Sequence, residues 1–538
     1  MFGLSGLTRK KNETDGASVV YEYNSFQPGE QFPPAKDRER LSKYKRMKKT
    51  FQGKQIEVYE RATELLKDTP HAPQLKKLYI AVNLADIIAT KPADLLVGEL
   101  PSFESGLPDD SDEQKALNSY VEENDLIQLI HESCVGNGYR GDSWIKVRYG
   151  YREDYSELRK LGLSEPTDAK MEPIIEHVAA DCVFPETSRG NVKKFKAVNI
   201  CTVEYVVTKK SEVPFLNVER HLPGFIIYER YRLHEFEGGV DNSYGYPLQT
   251  YTIGERVATG REDDLVETGV PHLLVHHIPY KSVDDSWEGI GGIEKLESLL
   301  AAINDRVVAI DFILMKHSDP TVYGPEIEGN GNAAIQWGGK YIPVTKEDAT
   351  PGYMTWNGQL DSAFKQLEMH ISLVFQKSET PQWLFGTVLG ANAGGTGTSH
   401  TDSGSIKARF MPILSKVKRI RTHYDKALRD ALYSCQLLDI AEGGAKFKAV
   451  YPTINWQDGI PKNAKEEAEI MSVRTGGKPT IDVQGAIKRL DSVDDEKAVE
   501  VIARIEEDEK SASGFVDGTT FNEVGGETND EADTDTEL

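Results

Sequence analysis

Ser399, His400 and Asp402 are the side chains best suited to nucleophilic chemistry. A hydroxyl, an imidazole and a carboxylate hydrolyse bonds when a rigid fold brings them together from separate segments. Here all three share one glycine-rich run, and the Gly-x-Ser-x-Gly elbow fails because position 401 is Thr. The cluster therefore predicts no catalysis. His272, His276 and His277 come next, within Pro271–Pro279. Strand alternation puts His272 and His276 on one face, where a metal is conceivable. With no His-Glu-x-x-His pattern, a structural strand is the better reading. Gly339-Lys340-Tyr341 and Gly477-Lys478-Pro479 lack the Ser or Thr after lysine, and the earlier glycine, of a phosphate-binding loop. Cys134, Cys182, Cys201 and Cys435 are far apart with no Cys-x-x-Cys pair, which predicts reduced thiols and no zinc site. The sequence thus predicts no enzyme, cofactor or metal, and any motor must be another protein.

The elements that carry these residues are those of a large globular chain. Its 538 residues suggest three or four units, with 39% hydrophobic and 28% charged residues. The net charge of −23 argues against a broad basic face that grips nucleic acid, although plain solubility explains it equally well. Residues 511–538 hold eight acidic residues and no Lys or Arg, which leaves about −15 on the remainder. The N-terminus lacks the apolar core of a signal peptide. The longest apolar stretch, Leu296 to Leu314, is broken by Asn304-Asp305-Arg306, so no membrane span is expected.

Residues 1–35 are polar and expected to be mobile. The basic run from Arg38 to Lys54 reads as a solvated segment, or alternatively as a contact with a partner subunit or DNA. Helical spacing appears at Val58–Leu66 and Leu75–Leu96, and strand patterns at Ser143–Tyr149, Pro173–Val178, Phe195–Thr208, Phe225–Leu233 and Gln249–Ile253. A helix over about 292–317 carries a wide apolar stripe that includes Leu296, Leu300, Val307 and Ile310. Pro320 stops it. A glycine-rich, strand-prone insertion follows over 318–358, and a helix returns over Leu360–Lys377. Residues 381–402 are rich in Gly, Thr, Ser and Asn, a composition expected to be mobile. The next helix, about 403–440, keeps Phe410, Ile413, Val417, Ile420, Tyr424, Leu428 and Leu432 at spacings of three or four until Gly443-Gly444. A short strand at Phe447–Val450 and three small helices are expected next. The second helix starts from Thr480 as cap, and disorder follows residue 510.

In this order the chain resembles the portal proteins of tailed bacteriophages. The resemblance rests on the run from Gly289-Ile290-Gly291-Gly292 through Leu300 to Asn304-Asp305, on Pro381 followed by Ser403-Gly404-Ser405-Ile406-Lys407, and on Trp456-Gln457-Asp458-Gly459-Ile460-Pro461. It covers roughly 40–510. It implies an α+β portal fold: a wing over 36–286, stem helices over 287–317 and 359–378, and a small β-containing clip over 318–358. A tunnel loop over 379–402, a long helix over 403–445 completing the wing, an α-helical crown over 446–510 and a disordered acidic tail over 511–538 complete it.

The resemblance further implies a homo-oligomer, most commonly a dodecamer, at one capsid vertex of the virion, assembled in the host cytoplasm. Double-stranded DNA passes through the ring, driven in by a separate terminase. Head–tail connector, major capsid and scaffolding proteins are the other partners. Lys365, Lys377, Gln382, Trp383, Asn392, Thr396, Thr398, Ser399 and His400 then fall near the DNA tunnel, and Trp337, Lys340 and Tyr341 on the partner-facing clip. The lysines read as surface residues or as a sparse tunnel ring. Trp383 could stack on bases, but a duplex exposes none, so packing is preferred. Two alternatives are a portal-like minor capsid protein with a fused enzyme, and an unrelated α+β scaffold protein.

Overall fold

The computed structural model describes residues 26–58, 80–155, 157–158, 161–207, 212–317, 321–325, 341–344, 350, 352–354, 360–382, 403–457, 464–476, 479–491, 493 and 495–513. Helices and strands are mixed, as expected of an α+β chain, and divide into two units, Met1–Ile460 and Pro461–Leu538.

In the first unit, alternating apolar residues build a seven-stranded antiparallel sheet. Its order is β1 (Gln31–Phe32), β9 (Leu248–Val257), β8 (Phe225–Asp241), β7 (Glu212–Leu222), β6 (Asn191–Val207) and β5 (Val183–Ser188), with β10 (Leu265–Glu267) on β8. Leu216 and Val218, two apart on β7, both point into a core with Phe184, Val198, Tyr231 and Ile253. Phe26 and Phe32 join the same core, and β1 pairs with β9. The expected mobile segment of 1–35 is therefore structured from residue 26.

A second sheet, β11 (Val275–Pro279), β3 (Asp142–Tyr151) and β4 (Met171–Val178), lies against the long helix α7 (Ser403–Ala441). The predicted stripe on α7 is realised, since Ile413, Val417, Ile420, Tyr424, Leu428 and Leu432 are all buried in the largest core. The packing of α7 is thus central to the unit. Its end at Gly444, φ +69°, follows the predicted glycine pair.

A third core gathers the helices that lead into the insertion. Met47 of α1 (Arg38–Phe51), Ile88 of α2 (Leu84–Leu96), Tyr139 of α4 (Leu126–Arg140), and Leu300 and Ile303 of α5 (Glu297–His317) meet Val374 of α6 (Leu360–Lys377). The end of α6 thus packs at the start of α5, so the two run antiparallel. Between them lie three short strands, β12 (Thr321–Pro325), β13 (Tyr341–Val344) and β14 (Gly352–Met354), in the order β13-β12-β14. The polar break in the α5 stripe is also explained: Asn304 is buried, and its Oδ1 accepts from Val82 N at 2.8 Å.

Several expectations change. The basic run is the helix α1, and Arg40 is buried, donating to Ala180 O, Val183 O and Asp37. Arg40 is thus part of the folded interior, whereas Lys48 and Lys54 of the same run are exposed. The helix read over Leu75–Leu96 begins at Leu84, its first residues lying outside the described ones. So does most of Val58–Leu66. Helices α3 (Asp112–Glu123), capped by Ser111 and burying Gln114, Leu117 and Tyr120 on one face, and α4 are additional to the expected elements. The strand expected at Phe447–Val450 does not form, because Gln436 of α7 holds both Val450 N and Val450 O with its amide. The strand is instead β15 (Thr453–Asn455), paired with β2 (Ser102–Glu104). The chain up to Ile460 groups with the first unit.

The second unit contains α8 (Ala464–Thr475), α9 (Val483–Asp491) and α10 (Asp495–Ser513). Asp482, not Thr480, caps α9 by accepting from Gly485 N at 3.2 Å. The segment expected to be a disordered tail lies outside the described residues beyond 513.

Candidate functional site

The glycine run before α5 is shaped by a close backbone approach. Gly141, φ +98°, ends α4 and faces Gly289 and Gly291; a Cβ on Gly141 would lie 2.5 Å from Gly289 O. Gly292 N donates to Gly138 O at 2.7 Å, and Tyr280 N to Gly141 O at 2.8 Å. Next to this crossing, the buried Asp142 carboxylate accepts from Gly289 N and lies against His277 Nε2, both at 2.7 Å, while Tyr44 donates its hydroxyl. The His277 ring also packs against Trp144, with ring centroids 4.5 Å apart and planes tilted by 35°. The histidine cluster is thus in part structural, as preferred. Only His276 and His277 lie in β11; His272 precedes it.

This crossing forms one wall of a cleft of about 680 Å³. The other walls are the end of α6 and the middle of α7, from Lys416 to His423. Helix α6 ends in a Schellman motif: Thr380 N donates to Phe375 O at 3.1 Å and Glu379 N to Gln376 O at 3.2 Å. Glu379 takes the left-handed position, φ 55°, that glycine normally fills, and Arg419 pairs with its carboxylate. Lys416 is buried, donates to Ser378 O at 2.9 Å, and lies 5.8 Å from the centre of the Tyr280 ring. Burial pulls its pKa down to about 8, and Glu379 opposes that fall. The Tyr280 hydroxyl is buried beside it with no hydrogen-bond partner. Lys281, Lys295, Lys377 and Lys418 stand exposed in the lining.

A second groove, of about 920 Å³, adjoins the first at Ser282, Thr422 and His423. It is lined by Lys193, Lys194, Lys426, Trp287 and His276, among others. The His276 Nε2 is sealed from solvent without a partner. Among the described residues, no group of three or more His, Cys, Asp or Glu could hold a metal ion.

Of the residues singled out from sequence, Lys377 lines the cleft, Lys365 is exposed on α6, and Gln382 is half-buried just after it. Trp383, Asn392, Thr396, Thr398, Ser399, His400, Trp337 and Lys340 lie outside the described residues. Tyr341 opens β13, its backbone beside Val322. Leu296, Leu300 and Ile310 are buried, whereas Val307 is half-buried and its neighbour Val308 fills the core. Sequence reasoning missed Lys416 and Tyr280. Lys416 carried a signal: it sits three residues after Ile413 and four before Ile420, on the buried face of α7. No helix of the described residues is long and apolar enough to cross a membrane.

The chain matches no family model and no curated protein.

Proposed function

We propose that this chain is the portal subunit of a tailed bacteriophage. It would form a ring, of twelve copies in the commonest case, at one vertex of the virion capsid. It acts as a conduit and docking platform, not as an enzyme. Double-stranded DNA enters through the ring under a separate terminase and leaves through it at infection. The small three-stranded sheet is the clip, which meets terminase and later the head–tail connector proteins; the body faces major capsid and scaffolding proteins.

One observation carries this reading. An antiparallel helix pair, α5 and α6, reaches out to a three-stranded sheet and returns, and the 39-residue α7 then packs through the body. Such an excursion gives a spoke of a ring a projecting end and a base.

Mass photometry with negative-stain microscopy of the purified chain tests it. Twelve copies of a 60.0 kDa chain give rings of about 0.7 MDa. A species that stays at one or two copies at every concentration would sink the proposal and favour an unrelated scaffold protein.

A further inference from the structure

The cleft at the end of α6 contains two buried groups that the protein leaves incompletely satisfied. The Lys416 ammonium has one hydrogen bond, to the neutral Ser378 carbonyl, and the Tyr280 hydroxyl has none. An ammonium with no anion in hydrogen-bond contact and an unpaired hydroxyl both cost free energy when buried. Both residues, Lys416 and Tyr280, line the same cavity. Around them stand Lys281, Lys295, Lys377 and Lys418, none of which meets a carboxylate among the described residues. Glu379, the one acid in the lining, is already taken by Arg419. In a chain of net charge −23 this is a local reversal of sign.

We propose that this cleft binds the phosphodiester backbone of nucleic acid, with Lys416 Nζ and the Tyr280 hydroxyl as donors to one phosphate and Lys281 and Lys295 attracting its neighbours. The proposal rests on the DNA-conduit reading and adds a fixed contact to it. The free cations are ammonium point charges spread along the rim, which suits the repeated charges of a polymer. A carboxylate partner would be met best by a bidentate arginine, and Arg419 is occupied.

The test measures fluorescence anisotropy of a labelled duplex of about 20 base pairs with the full chain, across a salt series. Tyr280→Phe is the sharpest variant. It removes a hydroxyl with no partner, so the thermal midpoint should hold or rise while the duplex binds about fivefold more weakly. Lys281→Gln with Lys295→Gln should reduce the slope of log affinity against log salt by about two. Parent-like binding by both variants would overturn the assignment. So would displacement of the duplex by polyglutamate as readily as by unlabelled duplex, which points to an acidic peptide. Binding of tripolyphosphate without the duplex would overturn it in favour of a free anion. Ring mass is read on the same samples. Duplex binding that depends on these residues, without rings, keeps the cleft and removes the portal reading; rings with parent-like binding by the variants remove the cleft alone.

Discussion

Gly141 and Gly289 cross backbone to backbone where the chain enters α5, and a Cβ on Gly289 would overlap Gly141 O. A carbonyl in a packed crossing has nowhere to move, and Asp142 pins the same point through Gly289 N. Gly289→Ala is expected to cost about 3 kcal/mol or more, read as a large drop in the chemical-denaturation midpoint. An alanine variant as stable as the parent would show that the crossing opens freely.

Leu300 is buried inside the fold, in one core with Met47, Ile88, Tyr139 and Val374, whereas Leu314, further along the same helix, is 48% exposed. Leu300→Asp should cost several kcal/mol and unfold the chain, since a carboxylate there has no counter-charge. Leu314→Asp should change the stability of the fold by about 0.5 kcal/mol or less. Circular dichroism melts of the two variants separate these outcomes; equal losses would mean that Leu314 is buried as well.

Asn304 faces inward because its Oδ1 accepts from Val82 N. Asn304→Leu keeps much of the volume but strands that donor, at a cost of about 1–3 kcal/mol. Hydrogen exchange at Val82 checks the mechanism directly: the amide should lose protection in the variant, and unchanged protection would remove this bond from the account.

His276 has its pKa pushed down to about 4 by burial, with Asp430 raising it and His272 lowering it further. The unfolded chain takes up a proton below about pH 6.5 while the folded chain does not, so stability should fall as pH drops from about 6.5 towards 4. His276→Gln is expected to flatten that part of the stability–pH curve. A variant whose curve keeps the parent slope would assign the acid sensitivity to other groups.

Periodic elements were legible from the residues. The α7 stripe, the α5 stripe, the returning α6 and strands β3, β4, β6, β8 and β9 follow from apolar spacing, which is a local property; β5 and the central β7 are not among the expected strands. Helices α3 and α4 were not legible: the face that α3 buries carries the polar Gln114 beside Leu117 and Tyr120, and α4 is covered on several sides, so neither shows a plain apolar stripe. Nor was the fate of 447–450, which is set by Gln436 on a separate element. In the cleft, Lys377 is legible from sequence as a surface or tunnel cation. Lys416 and Tyr280 were not, because their meaning comes from Ser378, Glu379 and each other across three segments.

By itself, the sequence determined the apolar periods, the glycine-rich run before α5 and the surplus of acid, all written in nearest-neighbour spacing and composition. Only the tertiary structure decided that Arg40 of the basic run in α1 is folded in, buried among backbone carbonyls. It also decided that Gly141 must be glycine because Gly289 passes it, and that lysines from four segments converge on one cleft in an acidic protein. Burial and electrostatic fields depend on distance in space, and residues far apart in the chain acquire that distance only when it closes on itself.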